Sequence, residues 1–296
     1  MSETERPAKL PRVFGFHSVA DVTSISSHNR DENSTSASTT KKLKLIMGCS
    51  YLPKENGSNP KGEDSHFICE KEQVFGIADG VGGWAKKGID AGIYARELMF
   101  NSAMAVQSDG LKGSVDPLTV LKEAYSNTKA LGSSTACIVA LKDDNCLHFA
   151  NVGDSGFLLI RGDRVIYKSQ PQQRGFNCPF QLGNNVKSDR PSSAFEFRVE
   201  IMDGDIIVAG TDGLFDNLYE DNIMVAMKKV TDRVGMYPYW VARMIAEDAR
   251  IISKDKDIPS PFSLASKKAG YTHSGGKIDD ITVLVAHVIS SPTNFT

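Results

Sequence analysis

Hydrophobic positions along the chain fall into short runs of two periods. From Leu43, "LKLIMGCSYL" reads as a strand. A loop rich in Asn, Gly, Pro and Lys (54–62) follows, and then "DSHFICE", whose alternation predicts a second strand. "VFGIA" is short and wholly apolar, as expected of a strand covered on both faces. Two helical patterns come next. In "DAGIYARELMFNSAMAV", Ile93, Leu98, Met99, Ala103 and Val106 recur at helical spacing. "VDPLTVLKEAYSNTKAL" opens with Asp116 as N-cap and Pro117 at the first helical position. "TACIVALK", "CLHFANV" and "GFLLIRGDRVIYKS" predict a meander with "RGDR" as a hairpin turn. Strict alternation places Phe195, Phe197, Val199 and Ile201 on one face of "FEFRVEI". "DIIVAG" is another buried strand, helices follow at 220–230 and 237–253, and "DITVLVAHVI" closes the pattern. Segments 184–195 and 254–275 read as loops. Strands in hairpin succession with helices grouped apart predict an α+β fold of antiparallel sheets layered with helices, not a doubly wound parallel sheet.

Composition narrows the function. A chain of 296 residues, 41% hydrophobic and 24% charged, can bury a sizeable core. The ordered pattern spans 43–289 as one domain. Residues 1–42 are polar and Ser/Thr-rich and read as a tail that cannot build a core, and 290–296 as a short C-terminal tail. A formal charge of −2 and the lack of a dense Lys/Arg run argue against a nucleic-acid surface. No apolar run approaches the roughly 20 residues of a membrane span. The first residues lack a secretory core, and Glu3, Glu5, Asp21, Asp31 and Glu32 are too many acids for an organelle transit peptide. Five scattered cysteines without a C-x-x-C pair support no zinc ribbon and no redox pair. An intracellular, reducing compartment is expected, with cytoplasm or nucleus preferred over mitochondrion or plastid.

Acids gather at the strand ends. Asp79 follows "FGIA" and precedes Gly80, Asp212 stands in "TDG" after "IIVAG", and Asp154 stands in "GDSG" after "HFANV". Asp279 and Asp280 precede "ITVLVA", and Glu63 and Asp64 precede "SHFI". One Asp-Gly corner is ordinary turn chemistry. Five acidic corners at the ends of buried strands call for a cation, and oxygen donors without clustered His or Cys favour magnesium or manganese over zinc. Gly76, Gly80, Gly82 and Gly83 do not match the G-x-G-x-x-G spacing of a dinucleotide loop. Their expected role is to turn the backbone tightly beside Asp79. The six histidines show no H-x-x-x-H spacing, and G-x-S-x-G is absent, so neither a zinc protease nor an esterase is indicated.

The order "GED" (62–64), "IADGVGGW" (77–84), "GSSTACIVAL" (132–141), "FANVGDSG" (149–156), "DIIVAGTDGLFDN" (205–217) and "GKIDDITVLVA" (276–286) resembles the metal-dependent serine/threonine protein phosphatases of the protein phosphatase 2C family. "QPQQRGFNCPFQLG" (170–183) resembles a short branch with organelle-associated and plant members. The resemblance implies a four-layer αββα sandwich with a two-ion magnesium or manganese centre between its sheets. It implies that Asp79 bridges the ions, that the Gly80 carbonyl serves one, and that Asp212 and Asp279 serve the other. Glu63 and Asp64 would hold metal-bound waters, Asp154 with Asp212 matches a weaker third-ion position, and Asp216 is an additional outer acid. Asp280 is a neighbour and not a ligand. The implied reaction is hydrolysis of phosphoserine and phosphothreonine in a phosphoprotein by a metal-bridging hydroxide, carried out by a monomer.

Two positions depart from the family pattern. "GSNPKGED" carries Asn59 and no arginine before the acid pair, leaving Lys61 as the candidate phosphate-binding cation. Val81 stands where many members have a histidine that serves as general acid. Two alternatives therefore stand beside the phosphoprotein phosphatase: a pseudophosphatase binding module on the same fold, and a phosphatase of small phosphate esters. Loops 184–195 and 254–275 are expected to shape substrate choice.

Overall fold

The computed structural model describes residues 42–55, 59–110 and 114–291. The expected N-terminal tail lies outside the described residues except for Lys42, as does most of the expected C-terminal one. The first half of the chain gives β1 (Leu43–Leu52), β2 (Asp64–Cys69), β3 (Val74–Asp79), α1 (Ala91–Gly110), α2 (Pro117–Asn127), β4 (Ser133–Ser134), β5 (Ala136–Leu141) and β6 (Cys146–Val152). The hairpin β7 (Gly156–Arg161) and β8 (Arg164–Lys168) follows, with the short β9 (Gln173–Gly175), β10 (Cys178–Pro179) and β11 (Leu182–Gly183) after it. The chain ends with β12 (Phe195–Glu200), β13 (Ile206–Gly210), α3 (Asp212–Phe215), α4 (Glu220–Val234), α5 (Pro238–Lys254), α6 (Pro261–Lys268) and β14 (Ile281–Ser290).

Two five-stranded antiparallel sheets carry the fold. One runs β1-β14-β13-β7-β8 and the other β12-β6-β5-β3-β2. The two-residue alternation of each strand sorts its side chains between two cores. Phe75, Ile77, Val139, Phe149, Phe157, Leu159, Ile207, Ala209, Leu284 and Ala286 face the space between the sheets. Val74, Ala78, Ile138 and Ala150 face α1 and α2, and Leu158, Val208, Val283 and Val285 face α4 and α5. Strands covered on both faces explain the unbroken apolar runs in the sequence. The expected α+β sandwich with helices outside both sheets is the one observed.

The element boundaries show where local pattern sufficed. Asp116 caps α2 by accepting from the Thr119 N–H at 2.9 Å, and Gly162-Asp163 closes the β7–β8 hairpin with Gly162 at φ 57°. The helix α1 is present, but Ile93 is 53% exposed, so its place in the apolar stripe is corrected. The buried face runs through Ala91, Tyr94, Ala95, Leu98, Met99, Ala105 and Val106. Segment 254–275 is not all loop: Ser260 accepts from the Ser263 N–H at 3.0 Å and Pro261 starts α6. On β12 the alternating face holds. Because β12 is an edge strand, Phe195 and Phe197 stay half-exposed and stack with each other, at 6.3 Å between centroids, over Phe149. Ser290 extends the last strand one residue beyond the expected domain end, pairing with Leu43.

Leu159 is fully buried between the sheets. Leu159→Ala is expected to lower the unfolding free energy by about 3 kcal/mol in urea titration, the usual cost of an unfilled core cavity. A loss below about 1 kcal/mol would show that the space between the sheets collapses freely.

Candidate metal centre

The inner faces of the two sheets continue past their apolar residues into polar ones at one end of the sandwich. On β3 the face of Phe75 and Ile77 ends at Asp79, and on β2 Asp64 stands directly opposite it in register. From the other sheet, the face of Ile207 and Ala209 continues to Thr211, and that of Leu284 and Ala286 reaches back to Thr282. Asp64 Oδ2 accepts from both hydroxyls, Thr211 Oγ1 at 2.8 Å and Thr282 Oγ1 at 2.8 Å. One buried carboxylate therefore ties the two sheets together where they meet the site.

The remaining acids are held by backbone turns around that clasp. Asp212 opens α3, and Gly213 beside it lets the Asp280 carbonyl pass so close that a Cβ would lie 1.9 Å from it. Asp280 is buried; its carboxylate accepts from the Lys54 N–H at 2.9 Å and the Glu63 N–H at 3.1 Å, and from Tyr51 Oη at 3.2 Å. Asp280 is thus a bracket for the loops on either side. Gly80 donates to the Glu63 carbonyl at 3.0 Å, and a Cβ there would meet that oxygen at 2.7 Å and Ala91 at 2.8 Å. Close approach, and not the expected tight turn, is what Gly80 provides: none of Gly80, Gly82 and Gly83 has positive φ, and residues 82–87 form a 3₁₀ helix. Asp79 is fixed from behind, its N–H donating to Thr135 Oγ1 at 3.0 Å.

Electrostatics records the convergence. Burial raises the Asp79 carboxyl well above the usual range, and the charges of Asp212, Asp64, Asp279 and Asp154 push it further. Burial and then Asp280 raise Asp64. Burial followed by the charge of Asp212 carries Asp154 to about 6 and Asp216 to about 7. Asp279 goes the other way: burial favours its neutral form, but the ammoniums of Lys277 and Lys54 outweigh it and hold the carboxyl low.

Those two lysines carried no signal in the sequence reading. Lys277 Nζ reaches Asp216 at 2.8 Å and Asp279 at 3.2 Å, and also pairs with Asp212. Lys54 Nζ reaches Glu63 at 2.6 Å and both Asp279 and Asp280 at 3.3 Å. Lys61 is exposed, and its carbonyl is what takes part, accepting from Tyr51 Oη at 2.8 Å. The structure thus places Lys54, and not Lys61, among the acids. Asn59 faces α1, donating to Asp90 at 3.0 Å, and Arg96 of that helix donates to the Gly62 carbonyl at 2.9 Å. An arginine does support the acid-pair loop, from a helix more than thirty residues later in sequence.

Three buried carboxylate oxygens, Asp64 Oδ1, Asp154 Oδ1 and Asp212 Oδ1, have no hydrogen-bond partner among the described residues. Orphaned buried oxygens are costly unless a cation serves them. The donor set is all oxygen, which fits magnesium or manganese. Among the described residues no three His, Cys, Asp or Glu side chains already close into a metal cage, the two ammoniums standing among the acids. Asp154 Oδ2 accepts from Gln173 at 2.7 Å at the edge of a cavity of about 310 Å³ that also reaches Asp212 and Asp216.

Removing one ammonium from this cluster leaves three carboxylates without it. In chelator-treated protein, Lys277→Met is expected to cost about 3 kcal/mol of unfolding free energy, against less than about 0.5 for Lys61→Met. Equal urea midpoints for the two variants would show that Lys277 does not offset the charge of the acids.

The chain is similar to known proteins over most of its length. The family model described as protein phosphatase 2C matches residues 31–174. Probable protein phosphatase 2C 80 of Arabidopsis thaliana is 46% identical over 94% of this chain and 67% of its own length. Probable protein phosphatase 2C 55 of the same plant is 49% identical over 85% of this chain, which spans 53% of that protein. The protein phosphatase PTC7 homolog fig of Drosophila willistoni is 41% identical over 83% of this chain and 84% of its length. Among solved structures, the photosystem II phosphatase PBCP superposes with a TM-score of 0.75 at 32% identity, covering 82% of this chain and 98% of that one. The catalytic domain of the phosphatase PstP with two manganese ions, at 17% identity and TM-score 0.56, shares the fold. By its sequence relatives and by the sandwich that its acids close, this chain belongs to the protein phosphatase 2C family.

Proposed function

We propose that this chain hydrolyses phosphoserine and phosphothreonine in proteins, with magnesium or manganese held by Asp79, the Gly80 carbonyl, Asp212 and Asp279. The observation that carries it is the convergence of four carboxylate charges on Asp79 beside three buried oxygens without partners. Bound there, a pair of divalent ions supplies a water of lowered pKa and offsets charge on the phosphoryl oxygens. Every other part is the work of the chain. Asp64, gripped through Oδ2 by two threonines, leaves Oδ1 without a partner among the described residues, and with Glu63 it would hold water bound to the ions. Asp154, with Asp212, offers a third-ion position, and Asp216 lies beside it.

Lys277 and Lys54 supply the cationic charge near the transferred group that Lys61 was expected to supply. An ammonium is a point charge, so these side chains attract a phosphoryl oxygen without the two-pronged grip of a guanidinium. Val81 has no proton to give, and the alcohol leaves with a proton from water. Five free thiols among the described residues suit a reducing compartment, and no helix among those residues is long and apolar enough to cross a membrane. We read the working unit as a monomer, placed in the cytoplasm or nucleus in preference to a mitochondrion or plastid.

Turnover of a phosphothreonine peptide is expected to require manganese or magnesium and to stop with EDTA. Asp79→Ala is expected to lower kcat/KM on the order of a thousandfold, a loss of several kcal/mol of transition-state stabilisation. Turnover that persists in EDTA would sink this reading. Manganese binding by calorimetry without turnover would instead support the pseudophosphatase, which Val81 favours.

A further inference from the structure

Beyond the acid cluster, a groove of about 340 Å³ starts at Val81, two residues from Asp79. One wall is the 3₁₀ helix after the acid loop, with Trp84 and Lys87; the other is segment 174–189, with Arg174, Lys187 and Asp189. The two walls are bonded to each other. Trp84 Nε1 donates to Ser133 Oγ at 2.6 Å, and Ser133 Oγ donates to Gln181 Oε1 at 2.6 Å. Val81 N–H is held by the Ser133 carbonyl at 2.9 Å. The groove is therefore continuous with the site and built on the same backbone.

Its charge is one-sided. Asp189 is buried, pairs with Arg174 and accepts from the Gln181 N–H at 3.0 Å, so these two charges cancel within the wall. Lys87 and Lys187 are exposed, and among the described residues neither makes an ion pair. Lys87 Nζ rests 4.7 Å over the Trp84 ring, which keeps its charge on the groove wall. Two unpaired ammoniums along a track leading away from the site suit carboxylates a few residues from the phosphorylated one.

We propose that this groove seats an acidic flank of the phosphopeptide, with Lys87 and Lys187 setting a preference for Asp or Glu beside the phosphorylated residue. The proposal rests on the phosphatase reading for its ligand, and it concerns binding, not the hydrolytic step. Exposed pairs contribute at most about 1 kcal/mol each, so the preference is a few-fold and sensitive to salt.

The test compares fluorescein-labelled phosphothreonine peptides with acidic, neutral and basic flanks. Manganese-loaded full-length protein is titrated by anisotropy, and turnover of the same peptides and of p-nitrophenyl phosphate is measured beside it. Wild type is expected to bind the acidic peptide roughly fivefold tighter than the neutral one, an advantage that fades between 0.05 and about 0.5 M salt. The double variant Lys87→Gln, Lys187→Gln is expected to lose that advantage in Kd and KM while p-nitrophenyl phosphate turnover stays unchanged, which also shows that it is folded. Equal binding of the three peptides, a basic preference, or an acidic preference that survives in the double variant overturns the proposal. Acidic preference without any turnover upholds the groove and overturns the hydrolytic reading alone.

Discussion

Carboxylates brought together at the end of a two-sheet sandwich repel one another, and the surrounding structure is arranged around that repulsion. The sandwich creates the problem: two inner faces of alternating apolar residues run out into Asp79 and Asp64 on one sheet and into Thr211 and Thr282 on the other. It also supplies part of the answer. Asp64 spends one oxygen on two hydroxyls from the opposite sheet, so the charge that separates the acids also fastens the layers. Asp280 does the same for the loops, collecting two backbone N–H groups and a tyrosine hydroxyl. Lys54 and Lys277 offset what remains.

Which parts of this were legible in the sequence follows from the range of the interactions. Strands and the acids at their ends were readable because alternation and the acid-glycine corners are local. The N-cap at Asp116 is local too, and it stands where expected. Lys54 and Lys277 were not readable, since a lysine in a loop looks the same whether its ammonium meets water or a carboxylate 225 residues away. Lys61 stands nearer to the acid pair in sequence, but loop 59–63 bends so that its carbonyl takes the hydrogen bond from Tyr51 and its side chain is exposed. Arg96 was hidden for the same reason, acting on the Gly62 carbonyl from α1.

Two further differences have a tertiary origin. The phase of α1 is set by what it packs against, and Ala91 and Tyr94 meet the sheet where Ile93 turns outward. At α6 the Ser260-Pro261 start signal was present in the sequence, but the polar residues after it hid the helix. Phe262 of that helix packs against Phe176 in a tilted pair, 5.0 Å between ring centroids, and Lys277 Nζ sits 5.2 Å over its ring. An element read as loop thus packs one wall of the site, connecting segment 170–183 to the lysine among the acids.

The loop "IADGVGGW" now has a division of labour. Asp79 ends a strand, and Gly80 is a glycine because the Glu63 carbonyl and the start of α1 leave no room for a Cβ. Val81 and Trp84 then leave the acids and begin the groove. Gly83 has no neighbouring side-chain atom within about 4 Å of a built Cβ other than Val81, so its small size opens space and does not relieve crowding. A histidine at position 81 would place a titrating charge at the mouth of that groove. The apolar Val81 adds no charge of its own, and with Arg174 offset by Asp189 the net charge along the groove is that of Lys87 and Lys187.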